Sequence, residues 1–174
     1  MGIDKPTYVF NLDALMFGGA VLVLVILVHA VLAISIHAAY SSVSGRCLRK
    51  KQYLLAQFVF LVGMFLLMIP HLVEIGVWGA AIHYAGLVNN LHDAIVFSGS
   101  SYTTLGFAPN VFPPGWESVT IIIAVSGMFA FAWSTTVMLD MMKNFSKARE
   151  AITQEFEVLE NAREANRQGV HDGS

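Results

Sequence analysis

The sequence predicts an all-α membrane protein with three membrane-spanning helices and one re-entrant loop. The chain of 174 residues is 56% hydrophobic and only 13% charged, which is outside the usual range of soluble domains. Three long segments carry no charged side chain, and they are Ala14–Gly45, Tyr53–Val73 and Ser118–Leu139. Between the second and the third lies a run of small and hydroxylated residues that is too short and too polar to span a bilayer.

The first uncharged segment predicts transmembrane helix one, with an apolar core over Met16–Tyr40. This core exceeds the roughly 20 residues that span a bilayer, and it lacks the basic start and the cleavage site of a secretory signal peptide. The loop after it, Ser41–Gln52, contains four basic residues, namely Arg46, Arg49, Lys50 and Lys51. Because basic loops stay in the cytoplasm, the N-terminus is expected outside.

The second uncharged segment predicts a helix that runs outward over Tyr53–Val73. At a rise of about 1.5 Å per residue this helix crosses the bilayer, which places Glu74 near the outer interface. Pro70 is expected to kink the helix, because proline removes a backbone hydrogen bond. Trp78 and Tyr84 are expected to lie in the outer interfacial belt.

A polar run, Ser98–Pro109, overlaps a segment that predicts a short pore helix over Ala94–Tyr102. Non-helical backbone is tolerated at membrane depth only where protein or a water-filled cavity encloses its polar groups. A single subunit of this size cannot supply that enclosure. We therefore expect several copies around a common axis, with backbone carbonyls lining a pore. The negative C-terminal end of the pore helix would favour a cation there.

The third uncharged segment predicts a helix that runs inward over Ser118–Leu139. It delivers a second basic cluster to the same cytoplasmic side as the first, formed by Lys143, Lys147 and Arg149. The C-terminal tail beyond it is charged and helix-prone, with apolar residues at seven-residue spacing at Phe145, Ile152 and Leu159. Two interpretations stay open for this tail, a weak coiled-coil seam below the pore and a solitary amphipathic helix on the membrane.

The string Thr103-Thr104-Leu105-Gly106-Phe107 resembles the Thr-Thr-Val-Gly-Tyr core of a potassium-channel selectivity filter. The resemblance extends to the pore-helix segment before the string, to Trp116 at the start of the next helix, and to Trp133-Ser134-Thr135 further along. The resemblance covers roughly Tyr53–Met142, and this part of the chain is similar to small bacterial potassium channels of the two-helix pore family. The helix before Tyr53 is additional to that pattern.

This resemblance implies a potassium-channel-like pore domain over residues 46–143, assembled as a homotetramer in the bacterial inner membrane. Residues 1–45 would form the N-terminal segment with helix one, and residues 144–174 a cytoplasmic helical tail. In such a filter, carbonyl oxygens replace the hydration shell of K⁺ or Na⁺, and the hydroxyl of Thr104 is a ligand of the innermost cation. No cofactor is expected besides this permeant ion. The filter residues implied are Thr103, Thr104, Leu105, Gly106, Phe107 and Ala108.

The outer half of this filter departs from the family pattern. Ala108 and Pro109 stand where the family has Gly followed by Asp, and Ser100 stands where many members have a carboxylic acid. Alanine in the left-handed region costs about 1–2 kcal/mol, and a following proline pushes it toward extended backbone. Gly106 meets the left-handed requirement at no steric cost. We therefore expect an altered filter, with weak selectivity or poor conduction.

Small and polar residues of the third helix have two interpretations each. Gly127 lies near the place of the family's gating glycine, so it would serve either as a gate hinge or as a site of tight helix packing. Ser134, Thr135 and Thr136 would either face an aqueous cavity or bond back to the preceding turn of their own helix.

Histidines raise the question of a metal or haem site, and they include His29, His37, His71, His83 and His92. Two histidine rings can bind the same metal ion or haem iron only when they lie at the same depth in the membrane. His29 is expected at mid-membrane and His71 near the outer end of its helix, so the sequence argues against such a site. His71 and Glu74 lie about one turn apart, and they are expected to brace the outer vestibule.

Two function classes remain for the protein, and neither is enzymatic. The sequence contains no nucleophile–base pair, phosphate loop or zinc spacing, and the tail lacks the basic character for nucleic acid. Thr103–Gly106 favours a tetrameric cation channel in the lipid bilayer. Ala108 and Pro109 favour a non-conducting membrane protein, which would use the pore fold as a structural or accessory subunit of a larger complex.

Overall fold

The computed structural model describes residues 11–108 and 111–171, which are helical throughout apart from short connections. Three helical stretches are long and apolar enough to cross a membrane, so the chain is an integral membrane protein and the predicted fold class is confirmed. These stretches are Leu12–Arg49, Tyr53–Tyr84 and Glu117–Ser146. In chain order the helices are α1 (Leu12–Arg49), α2 (Tyr53–Leu66), α3 (Met68–Tyr84), α4 (Leu91–Tyr102) and α5 (Glu117–His171).

Helix α1 is longer than the sequence predicts. It begins after Asn11, whose side chain accepts hydrogen bonds from the amides of Asp13 and Ala14 at 3.0 and 3.4 Å. It then continues through most of the predicted loop to Arg49. The hydrophobic pattern ends near Tyr40, but nothing in the following residues breaks a helix, and basic side chains in the last turn favour its C-terminus.

The predicted kink at Pro70 is confirmed as a break between α2 and α3. Proline has no N–H to donate to the carbonyl of Leu66, and its ring would clash with that carbonyl in a regular helix. Helix α2 accordingly ends at Leu66 and α3 begins at Met68. The two helices together form the second membrane crossing.

Trp78 does not lie in an interfacial belt, and this expectation is wrong. Its side chain is 0% exposed, and its indole N–H donates to the hydroxyl of Ser126 at 3.0 Å. Trp78 faces α5 across the subunit interior instead of facing the membrane surface. Tyr84, by contrast, is 84% exposed.

The predicted pore helix corresponds to α4, which begins after Asn90 and ends at Tyr102. The Asn90 side chain accepts a hydrogen bond from the amide of His92 at 2.9 Å. Helix α4 packs tightly on α3 at Gly79, where an added Cβ would lie 2.9 Å from the Cα of Ile95. Glycine at this position therefore permits the close approach of the two helices.

Helix α5 joins the predicted third helix and the tail into one helix of 55 residues. Its membrane part shares a core with α1, α3 and α4, which includes Val25, Trp78, Tyr102 and Ile123. Lower on the helix, the ring of Phe145 stacks on Phe60 of α2 at 5.4 Å between centroids. The side chain of Ile152, a member of the predicted seam, lies outside the described residues, so the seam stays a prediction.

Candidate pore loop and the buried cluster behind it

Five residues in succession follow α4 with exposed side chains, and they are Thr103, Thr104, Leu105, Gly106 and Phe107. Two of them are large and apolar, Leu105 at 70% exposed and Phe107 at 68%. These residues coincide with the filter predicted from the sequence. A single subunit thus presents the loop on its surface, where it is open to contact with other chains or with water.

The backbone of this loop is left-handed at two positions. Thr104 has φ 60° and Gly106 has φ 64°, and the glycine is the residue expected to tolerate this conformation. A β-branched residue such as threonine rarely adopts a positive φ, so Thr104 is strained. The described residue Ala108 does not share this conformation. Positive φ thus alternates along 104–106 and does not continue to 108.

The loop is held against the end of α4 by hydrogen bonds to two serines of that helix, Ser100 and Ser101. The amide of Thr104 donates to the carbonyl of Ser101 at 2.9 Å, and the amide of Gly106 donates to the carbonyl of Ser100 at 3.1 Å. The Ser100 hydroxyl also accepts from the amide of Ala108 at 3.1 Å. The Ser100 side chain therefore ties the end of the loop, at Ala108, to α4.

Tyr102, the last residue of α4, turns its side chain into the protein. It is 1% exposed, and its hydroxyl donates to Oε2 of Glu74 on α3 at 2.5 Å. The other oxygen of Glu74, Oε1, lies 2.5 Å from Nδ1 of His29 on α1. Nδ1 of His71 lies 2.9 Å from the Tyr102 hydroxyl. We call His29, His71, Glu74 and Tyr102 the buried cluster.

The expectation that His29 and His71 lie at different depths is wrong, because their ring centroids are 5.6 Å apart. The helical extension of α1 explains the error. His29 lies 20 residues before the last residue of α1, Arg49, and His71 lies 18 residues after the first residue of α2, Tyr53. The connection between these two ends is short, so similar numbers of residues bring both histidines to one level.

His71 and Glu74 are 5% and 0% exposed, so the structure places them inside the subunit. This differs from the expected place in an outer vestibule, because a vestibule residue faces water. The two side chains point toward α1 and α4, and the partners that hold them there are His29 and Tyr102.

Residues of α5 enclose the buried cluster on its remaining side. The hydroxyl of Ser134 lies 3.4 Å from Nε2 of His29, and the ring of Phe131 stacks on His71 at 4.5 Å between centroids. Thr135 and Thr136 bond back to the carbonyls of Phe131 and Ala132 at 2.8 and 3.0 Å. The second interpretation of the two threonines, bonding to their own helix, is therefore the observed one.

Gly127 is the point where α5 meets the end of the pore helix. A Cβ at this position would overlap the carbonyl oxygen of Tyr102, so the two backbones are in direct contact. This contact supports the packing interpretation of Gly127. A hinge at the same residue stays a prediction.

The helix order, the exposed loop and its attachment to the end of α4 together describe a pore-loop unit. Residues 70–144 match the ion-channel family model. This ion-channel segment contains almost all of α3, the whole of α4, the loop, and the first half of α5. A search of curated proteins and a search of solved structures each gave no match.

The buried cluster joins the ion-channel segment to a helix outside it, since His29 belongs to α1. Sequence reasoning did not assign Tyr102 to any site and did not connect His29 with Glu74. One signal was available, because an ionisable side chain within a membrane-spanning helix usually has a buried partner. The spacing of residues along the chain could not identify that partner.

Proposed function

We propose that the protein is a tetrameric channel for monovalent cations, with four copies of the loop 103–108 lining one axis. The observation that carries this proposal is the exposed, left-handed loop directly after a short helix, inside a segment that matches ion channels. The five exposed residues 103–107 are not covered by the rest of their own subunit. A ring of copies would give their backbone groups a common, hydrated path.

The cation would be bound by oxygen atoms that the loop presents to the axis. The carbonyls of Thr104, Leu105 and Gly106 would replace water around K⁺ or Na⁺, and the Thr104 hydroxyl would complete the innermost site. The C-terminal, negative end of the α4 dipole would lie beside the same place, which favours positive charge. The strain at Thr104 is consistent with a residue whose conformation serves such a site.

The outer end of the filter would differ from that of a selective potassium channel. Ala108 lacks the left-handed conformation, and its amide is bound by Ser100, so its carbonyl would not continue the series of rings. We propose that this reduces discrimination between K⁺ and Na⁺ or lowers the conductance. The permeant ion is the one ligand that this function requires.

Recording in planar bilayers under opposed K⁺ and Na⁺ gradients tests the proposal. We expect cation currents with a reversal potential between the two Nernst values, and we expect Thr104→Ala to change the currents strongly. Thr153→Ala is the matched control, because the Thr153 hydroxyl bonds to the carbonyl of Arg149 in the tail, far from the loop. A reversal at the full potassium value would disprove weak selectivity, and equal effects of both variants would disprove the role of Thr104.

The alternative function is a non-conducting subunit that uses the pore fold as a scaffold. The conformation of Ala108 favours it, since an interrupted series of carbonyls also fits a loop that conducts nothing. Thallium flux into proteoliposomes separates the two functions. Absence of flux from a protein that elutes as a monomer in mild detergent would favour the scaffold.

A further inference from the structure

Three of the residues in the buried cluster offer atoms that bind metal ions. One donor atom each from His29, His71 and Glu74 lies within 4.8 Å of the other two. Their side chains are buried, at 1%, 5% and 0% exposed. The geometry points to a divalent transition-metal site at this place, with Zn²⁺ as its typical ion. Such a site goes beyond the proposed cation channel and does not depend on conduction.

The hydrogen bonds of Tyr102 determine which nitrogen of His71 is free. Because the Tyr102 hydroxyl donates its proton to Glu74, its oxygen accepts from the Nδ1–H of His71. A neutral imidazole with its proton on Nδ1 has a lone pair on Nε2. This Nε2 is buried without a hydrogen-bond partner in the part of the chain that the structure describes. Buried nitrogens of this kind are uncommon, and a metal ion would use the lone pair.

The atoms that would not bind the metal already have hydroxyl partners. Ser134 lies beside Nε2 of His29, and Tyr102 lies beside both Nδ1 of His71 and Oε2 of Glu74. Histidines that bind metals typically give their second ring nitrogen to such a partner, which fixes the ring. Nδ1 of His29, Nε2 of His71 and Oε1 of Glu74 are therefore the three atoms that would bind the ion in this proposal. On metal binding, the neutral His29 ring would carry its proton on Nε2 in place of Nδ1, and this N–H would donate a hydrogen bond to the Ser134 hydroxyl oxygen.

The chemistry of the ligands selects the ion. Two imidazole nitrogens with one carboxylate oxygen is a known zinc set, and it also suits other first-row divalent ions. Ca²⁺ and Mg²⁺ prefer sites made of oxygens alone. The carboxylate of Glu74 would offset part of the ion's charge in a buried place. The helices α1 and α3 supply the ligands, while α4 and α5 supply the hydroxyls, so the ion would link all four.

Metal content of the purified protein tests the site directly. Tag-free protein in nanodiscs is first stripped of metal with a chelator, then incubated with Zn²⁺ and separated from the free ion. The amount of zinc bound per chain is measured by inductively coupled plasma mass spectrometry. We expect the unaltered protein to retain about one Zn²⁺ per chain. We expect His71→Ala to bind Zn²⁺ with an affinity at least tenfold lower. His92→Ala is the matched control, because His92 is an exposed histidine outside the cluster, and we expect it to bind as the unaltered chain does.

X-ray absorption of the unaltered, Zn²⁺-loaded protein keeps the test valid if the His71→Ala variant does not fold. We expect a first shell with two imidazoles and one carboxylate. The inference is overturned if the unaltered protein retains no stoichiometric Zn²⁺. It is equally overturned if folded His71→Ala binds as tightly as His92→Ala, or if the absorption spectrum shows fewer than two imidazoles. None of these measurements depends on channel currents, so a negative result for zinc binding does not contradict the proposed channel function.

Discussion

The hydroxyl of Tyr102 lies 2.5 Å from the carboxylate of Glu74, and this bond connects the last residue of the pore helix to the second membrane crossing. Thr103, the first residue of the filter-like loop, follows Tyr102 directly. The position of the loop therefore depends on a side chain that lies behind it, buried among α1, α3 and α5. Tyr102 and Ser100 thus hold the loop from two sides, the first through Glu74 and the second through the amide of Ala108.

We predict that Tyr102→Phe destabilises the protein by about 1.5–3 kcal/mol, because it removes a buried hydrogen bond to a carboxylate and leaves Glu74 without that donor. Thermal unfolding in detergent, followed by circular dichroism, measures the effect. Tyr84→Phe is the control, since Tyr84 is 84% exposed. Equal melting temperatures for the two variants would show that the bond contributes nothing to stability.

Gly127→Ala is expected to lower stability by about 1–3 kcal/mol or more, because the new methyl group would overlap the carbonyl oxygen of Tyr102. To relieve the overlap, α4 must move away from α5, and the loop would move with it. Gly76→Ala provides the comparison, because a Cβ there meets nothing within 4 Å. The same melting experiment applies, and a Gly127→Ala protein as stable as Gly76→Ala contradicts the close contact.

Trp78→Phe tests whether the Trp78 side chain lies in the protein core and not at the membrane interface. Phenylalanine fills most of the space of the indole but leaves the Ser126 hydroxyl without its donor, so we expect a loss of about 1 kcal/mol. Tryptophan fluorescence of the unaltered protein gives an independent measure. The buried ring of Trp78 should resist quenching by iodide in the aqueous phase, and full quenching of all tryptophans would contradict its burial.

The double substitution Ala108→Gly with Pro109→Asp gives the outer end of the loop the Gly-Asp pair of the potassium channels that its sequence resembles. If the protein conducts, we expect the permeability ratio of K⁺ to Na⁺ to rise, because glycine adopts the left-handed backbone without strain. Reversal potentials under mixed gradients measure the ratio. An unchanged ratio would show that these two positions do not limit selectivity.

The course of the helices was predictable because charge is excluded from the membrane interior, and the uncharged segments marked the crossings. Pro70 similarly predicted the break, since its missing N–H acts locally. The end of α1 was not predictable from hydropathy, because Ser41–Arg49 is polar and yet helical. That error of a few turns placed His29 at the wrong depth, and with it the relation to His71 was lost.

Trp78 and Tyr102 show the second limit of sequence reasoning. Aromatic residues with a polar tip suit both a membrane interface and a buried hydrogen bond, and their local sequence does not distinguish the two. The partners that decide, Ser126 and Glu74, lie on other helices. The filter-like residues, in contrast, could be predicted because their chemistry is contained in one continuous string, and their role as a filter stays a prediction.

The contact between His29 and Glu74 has a consequence for how the chain can be shortened. A fragment that starts at Tyr53 would still include the whole ion-channel segment, but it would leave the buried carboxylate of Glu74 without its partner His29. Such a carboxyl group would have to recruit water or another helix into hydrocarbon. Within the subunit, α1 is thus the helix that covers this carboxylate and supplies its histidine partner.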